Sequence, residues 1–170
     1  MNANEFRNLQ APLKARYREE PAAAKVTLSA EGALGDEAIT CKVSTGKALV
    51  EAGLHPVTGG NGLAACSGDM LLEALVACAG VTLKAVATAL AIPIRSGKVT
   101  AEGELDFRGT LGVDKQVPVG FTEIRLRFQL ETEADADQLA TLLKLTERYC
   151  VIYQTLRNPP PLTLSHEVKR

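Results

Sequence analysis

The run from Asp69 to Leu90, DMLLEALVACAGVTLKAVATAL, holds so much alanine and leucine that the rest of the chain must be built around it. At about 100° per residue its polar members Asp69, Glu73, Lys84 and Thr88 gather on one narrow stripe, which predicts a helix apolar on nearly every other side. A single thin sheet leaves such a helix partly bare. A second chain is its natural cover, so a homodimer is expected. Cys78 shares its side of the helix with Leu71, Leu75, Thr82 and Ala85, while the alanines and Gly80 leave little bulk around it. A cysteine in that setting is either a small core residue or a reactive thiol, and the helix alone leaves both open.

Ser67 is expected to cap this helix, with Asp69 in its first turn, and Pro93 limits its extension. Upstream, Lys25–Ala30 and Ile39–Val43 read as two short strands of a hairpin with Gly32 and Gly35 as turn formers, and 53–68 as a glycine-rich loop. Downstream, Val99, Ala101, Gly103, Leu105 and Phe107 alternate with mostly polar residues, as do Thr122, Ile124, Leu126, Phe128 and Leu130, so two strands are expected. The GTLGVDKQVPVG connection between them is long enough for a flap or a partner contact. A second amphipathic helix from Asp135 to Tyr149 turns Leu139, Leu142, Leu143 and Thr146 inward, and Cys150 continues that stripe. Val151–Arg157 reads as a further short helix stopped by Pro159, Pro160 and Pro161, and Leu162–Val168 as a final strand. The pattern is that of an α+β chain forming a single domain over 1–170, with 1–23 as an N-terminal arm that contacts a partner.

The formal net charge is −1 with scattered lysines and arginines, which argues against nucleic acid or an anionic membrane surface as partner. The opening MNANEFRNLQ has no apolar signal segment, and the charges within Asp69–Leu90 make it a poor membrane span, so the expected location is cytoplasmic. In that compartment Cys41, Cys66, Cys78 and Cys150 are better read as thiols than as a disulfide framework. They show no CxxC or Cys/His spacing and the chain has only two histidines, so no metal site is expected.

The pairing of DMLLEALVACAGVTL with ERYCVIYQTLRN, from about Lys25 to Val168 with its strands, resembles the OsmC/Ohr superfamily. The resemblance implies an OsmC-like fold with antiparallel sheets wrapped around a central buried helix, in an intertwined homodimer with active sites at the interface. For the peroxide-reducing members it implies that Cys78 attacks a hydroperoxide and Cys150 resolves the product in oxidative stress defence, with an external dithiol reductant and no bound cofactor. Such members carry a glutamate at the position of Gly68, for which Asp69 is the substitute on offer. They also use an arginine upstream of the central helix. Arg7, Arg16 and Arg18 precede the first strand and Lys47 lies in STGKALVE; Arg16 is carried forward as the candidate. The second cysteine of the family is often followed by proline, where this chain has Val151.

A free thiol is only about 3% ionised at pH 7, so a thiol of this kind needs a cation, hydrogen-bond donors or a helix N-terminus beside it. His55, before Pro56 in the glycine-rich loop, is a candidate donor to a peroxide oxygen, whereas His166 reads as a surface residue. Cys66 lies next to the helix start and Cys41 on a strand facing the core. Leu71, Leu75 and Val81 would desolvate an alkyl or aryl group, which favours organic hydroperoxides over hydrogen peroxide. The expected function is a thiol-dependent organic hydroperoxide reductase. The alternatives are a non-catalytic homodimer that binds a small apolar ligand and a thiol redox sensor.

Overall fold

The computed structural model describes residues 2–20, 31–34, 40–44 and 49–168. The chain starts with a helix that the sequence reading does not foresee, α1 (Ala3–Glu19). Asn2 and Glu5 cap it reciprocally: the Glu5 N–H donates to Asn2 Oδ1 and the Asn2 N–H to Glu5 Oε2, each at 2.9 Å. α1 leans on the long helix described below.

Strands β1 (Glu31–Leu34), β2 (Thr40–Ser44), β3 (Leu49–Gly53) and β4 (Ala65–Cys66) form one sheet in that order. The hairpin is present, with Gly32 opposite Val43, but Gly32 lies within a strand rather than in the turn; 25–30 and Gly35 fall outside the described residues. Residues 53–68 are more ordered than a loop. His55 begins a short 3₁₀ turn over Pro56–Thr58, and β4 then runs parallel to β3 with Ala52 opposite Ala65.

That parallel pair delivers the chain into α2 (Ser67–Ala89). The residue at the N-cap is Cys66, not Ser67, because pairing with β3 keeps Cys66 extended, and its side chain makes no capping hydrogen bond. Among the described residues α2 is the one helix long and apolar enough to cross a membrane by length and composition. Leu75, Ala79, Leu83, Val86 and Ala87 are nevertheless buried in the protein, as in a core helix. Its other side is open: Val81 is 73% exposed and Leu71 37%, so a single chain does not enclose the helix.

β5 (Ile94–Glu104) and β6 (Glu123–Thr132) form an antiparallel pair with Val99 opposite Phe128 and Gly103 opposite Ile124. The alternation on β6 is as read: Ile124, Leu126, Phe128 and Leu130 face inward. β5 starts earlier and stops before Leu105. Asp106 then accepts from the Arg108 N–H and starts the short helix α3 (Phe107–Thr110), so Phe107 is not a strand residue. Gly103 is required where it stands, since a Cβ there would lie 2.5 Å from the Phe121 ring.

α4 (Ala136–Tyr149) has a full capping box between Asp135 and Gln138. It buries Leu142 and Thr146; Leu139 is half-buried and Leu143 is 40% exposed, so the inward stripe is narrower than expected. α5 (Val151–Arg157) follows as read. Residues 162–168 are not a strand: Leu162 and Leu164 are 93% and 94% exposed, and the segment has no pairing partner among the described residues. α2 packs on β5 and on both α4 and α5. One core cluster joins Leu83, Val86, Ala87, Ile92 and Leu142; the other joins Leu75, Ala79 and Cys150 with Cys78, Val99, Leu126, Tyr153 and neighbours. Burial of a side chain such as Leu75 or Leu142 contributes about 1.5–3 kcal/mol, and it fixes α2 against the α4–α5 junction.

Candidate active site

Cys150 stands at a bend. It ends α4, its N–H donating to Thr146 O at 3.0 Å, and it caps α5, its carbonyl accepting from the Gln154 N–H at 2.9 Å. Its own φ of −74° and ψ of 108° are extended, so the two helices meet at an elbow and do not run on as one. The elbow is pressed against the middle of α2, where Cys78 lies one residue before the fully buried Ala79.

Cys78 packs against the buried cluster that holds Cys150, and both are free thiols. Burial pushes the Cys78 thiol up, but donors converge on it and outweigh that cost: the Ile152 N–H, the Cys150 thiol, the Val151 N–H and the Thr82 side chain together hold it below its ordinary value. Cys150 moves the other way. Burial raises it, the Tyr153 N–H offsets part of this, and the hydrogen bond to Cys78 and its charge raise it further. The neighbours thus make two chemically identical groups a stronger and a weaker acid. Among the described residues no cation takes part in these contacts, and backbone N–H groups from the start of α5 contribute to the lowering.

Two apolar cavities adjoin the pair, and Leu126 and Tyr153 line both. One of about 190 Å³ is lined by Cys150, Ala79, Phe128 and Thr146. The other, about 300 Å³, is lined by Leu75, Phe121, Ile124 and Leu156, with Arg157 at its rim. A third concavity, about 710 Å³, is a polar groove along Lys144, Arg148 and Gln154. Cys150 opens onto the cavity of about 190 Å³, and neither sulfur lines the other two.

Of the remaining sequence candidates, His55 and Asp69 lie elsewhere. His55 is engaged in its own loop: Nδ1 accepts from the Val57 N–H at 3.1 Å and the ring stacks on Phe107 with centroids 5.2 Å apart. Asp69 is an exposed first-turn acid of α2. Within one chain it stands about 13 Å of helical rise from Cys78, beyond the reach of its carboxylate. Arg16 is on α1, with its side chain outside the described residues, as is that of Cys41. At Gly68 a Cβ would meet Phe121, Cys66 and Leu105 at ordinary van der Waals distance, so an apolar wall stands where a longer side chain would extend. His166 is exposed, as read. Leu71 and Val81, expected to wall Cys78, are largely exposed in the single chain; Leu75 alone of the three is buried. The groups that sequence reasoning missed are Thr82 as a donor to Cys78 and the backbone of Val151 and Ile152.

The family profile described as OsmC-like protein matches residues 59–165, more than half of the chain. The chain belongs to the OsmC-like protein family. Among solved structures, this OsmC-like chain is similar to an OsmC-like protein from Mycoplasma pneumoniae, with TM-score 0.65 and 16% identity over 79% of this chain and 90% of that one. It is also similar to an organic hydroperoxide resistance protein from Elizabethkingia anophelis, with TM-score 0.63 and 17% identity over 80% and 91%. A Legionella pneumophila organic hydroperoxide resistance protein OsmC gives TM-score 0.61 and 16% identity over 79% and 93%. At these identities the likeness establishes the mixed helix and strand fold. Comparison with curated protein sequences gives no match.

Proposed function

We propose that this OsmC-like protein is a cysteine-dependent peroxidase that reduces organic hydroperoxides as a homodimer, with Cys78 as nucleophile and Cys150 as resolving thiol. The observation that carries the reading is the packing of Cys78 against the elbow that holds Cys150, with Cys78 made the stronger acid and Cys150 the weaker one. The Cys78 thiolate attacks the terminal peroxide oxygen and the O–O bond breaks. Cys78 becomes a sulfenic acid and the alkoxide takes the Cys150 proton to leave as an alcohol. The Cys150 thiolate then attacks the Cys78 sulfur, the S–O bond breaks, and hydroxide leaves to be protonated by solvent. An external dithiol reduces the disulfide and is itself oxidised. The reaction suits the reducing conditions of a cytoplasm.

Leu75, Leu126 and Leu156 beside the pair favour an alkyl or aryl substituent over hydrogen peroxide, which has no apolar part. The names of the Elizabethkingia and Legionella relatives agree with that substrate class. The exposed Leu71, Ala74, Ala77 and Val81 side of α2 supports a second copy as its cover, and a two-stranded sheet beside it leaves room for wrapping by a partner. The test is consumption of cumene hydroperoxide and of hydrogen peroxide under one dithiol reductant, with Cys78→Ser as the blank and light scattering for the assembly. Equal rates for the two peroxides, or activity surviving in Cys78→Ser, would overturn the assignment. The cavity of about 300 Å³ also favours a second reading, an apolar-ligand-binding homodimer without turnover. Ligand retained by a Cys78→Ser, Cys150→Ser double variant that lacks wild-type turnover would select it.

A further inference from the structure

The elbow at Cys150 raises a question of backbone hydrogen bonds. Had α4 continued, the Val151 N–H would have donated to the Glu147 carbonyl, four residues back. With Cys150 extended at ψ 108°, that N–H is released from the helix at the elbow that packs against Cys78, where it helps to hold the thiol below its ordinary value. The Glu147 carbonyl is left without its helical donor, and carbonyls in the last turn of a helix need another partner or water. The partner here is a side chain: Gln154 Nε2 donates to Glu147 O at 2.8 Å. The Gln154 amide is held in turn, its Oε1 accepting from Asn158 Nδ2 at 3.3 Å, and an Arg157–Glu147 ion pair ties the same two turns together. Every one of these contacts spans the elbow from α5 back to α4 or lies within α5.

We propose that Gln154 is a positioning residue: by taking over the Glu147 carbonyl it holds the chain extended at Cys150 and so keeps the Val151 N–H on the Cys78 sulfur. The residue touches neither thiol. It acts by making the bent backbone as well satisfied as a straight helix would be, which removes the incentive for the Val151 N–H to return to Glu147. The inference rests on the reading of Cys78 as the attacking thiol, and it adds to it the side chain that keeps a backbone donor in place.

Two substitutions in the full-length chain test it. Gln154→Ala removes the substitute donor. Val151→Pro removes the N–H itself at a position that tolerates proline: it is the first residue of α5, its side chain is 66% exposed, and Cys150 before it already has the extended conformation that proline imposes. The readout is the pH dependence of iodoacetamide alkylation at Cys78, followed on the Cys78 peptide by mass spectrometry, with thermal melting alongside. Loss of one hydrogen bond to a charged sulfur is expected to slow alkylation near neutral pH by about five- to tenfold and to displace the profile to higher pH. Both variants should show this with melting little changed. Gln154→Ala with the wild-type profile would overturn the role of Gln154, and Val151→Pro with the wild-type profile would overturn that of the Val151 N–H. The readout needs no peroxide: displaced profiles in a protein that consumes no hydroperoxide would support this inference while the peroxidase reading failed.

Discussion

Ala91→Gly should make this protein more stable, although it removes a methyl group and adds nothing. α2 ends in a pair of reversed hydrogen bonds, Ile92 N–H to Ala87 O at 2.9 Å and Ala91 N–H to Thr88 O at 3.2 Å, the Schellman arrangement. It demands a left-handed residue after the cap, and Ala91 supplies it at φ 55°, the one non-glycine residue with positive φ among the described residues. An L-residue there costs about 1–2 kcal/mol. Glycine removes most of that cost but brings about 0.5–1 kcal/mol of extra freedom to the unfolded chain. Ala91 is exposed, so no buried surface is lost. The difference is a net gain of about 0.5–1 kcal/mol, or roughly 1–4 °C in Tm for a chain of this size. Urea unfolding at fixed protein concentration measures it, with the midpoint rising and the slope unchanged. Ala89→Gly, two residues earlier inside the helix, is the control and should cost about 1 kcal/mol. A midpoint for Ala91→Gly at or below that of the wild type would refute the reasoning.

Cys66→Ser places a hydroxyl at an N-cap that has no side-chain hydrogen bond, and a gain of about 0.5–1 kcal/mol in urea unfolding is expected; no gain would mean that the β4 pairing orients the side chain away from α2. Thr82→Val deletes one donor to Cys78 and should slow its alkylation near neutral pH by about three- to fivefold, with stability measured in parallel. Because Cys78 is held below its ordinary thiol value, the folded chain binds fewer protons than the unfolded one between the two values. Its ionisation therefore adds stability as pH rises across that window, and the contribution is lost as pH falls through the folded value. Cys78→Ser should flatten the corresponding rise in the urea midpoint, and an unchanged pH profile would count against an acidic Cys78. Cys150→Ser should give one fast turnover and then stall with Cys78 as sulfenic acid, trapped by dimedone; sustained turnover would show that resolution does not need Cys150.

Periodicity made α2, β6 and α4 legible because each presents one face to the core at its own repeat. α1 carried a readable signal too, Asn2 with Glu5, but its mixed polarity and internal Pro12 obscured it. The last strand failed for an instructive reason. Leu162, Leu164 and Val168 alternate as a strand would, but alternation states only that a segment fits a sheet, and the segment is paired with no strand among the described residues. The thiols were identifiable from their flanking motifs. The groups that differentiate them were not, since Val151 and Ile152 act through backbone N–H groups, which every residue but proline possesses. His55 looked free in the sequence because nothing in its neighbours announced Phe107 as a stacking partner.

Among the described residues, the short parallel pairing of β4 with β3 is the principal tie between the four-stranded sheet and the rest of the chain, through the step from β4 into α2. A sheet attached so narrowly has little tertiary packing of its own to resist opening. In hydrogen exchange, β2 and β3 should therefore lose protection together at a lower opening free energy than Leu75, Leu83 or Leu142, whose amides open only with the core. A second chain laid across that sheet would slow its exchange in proportion to protein concentration, while the amides of the α2–α4 core would report the global unfolding of the assembly.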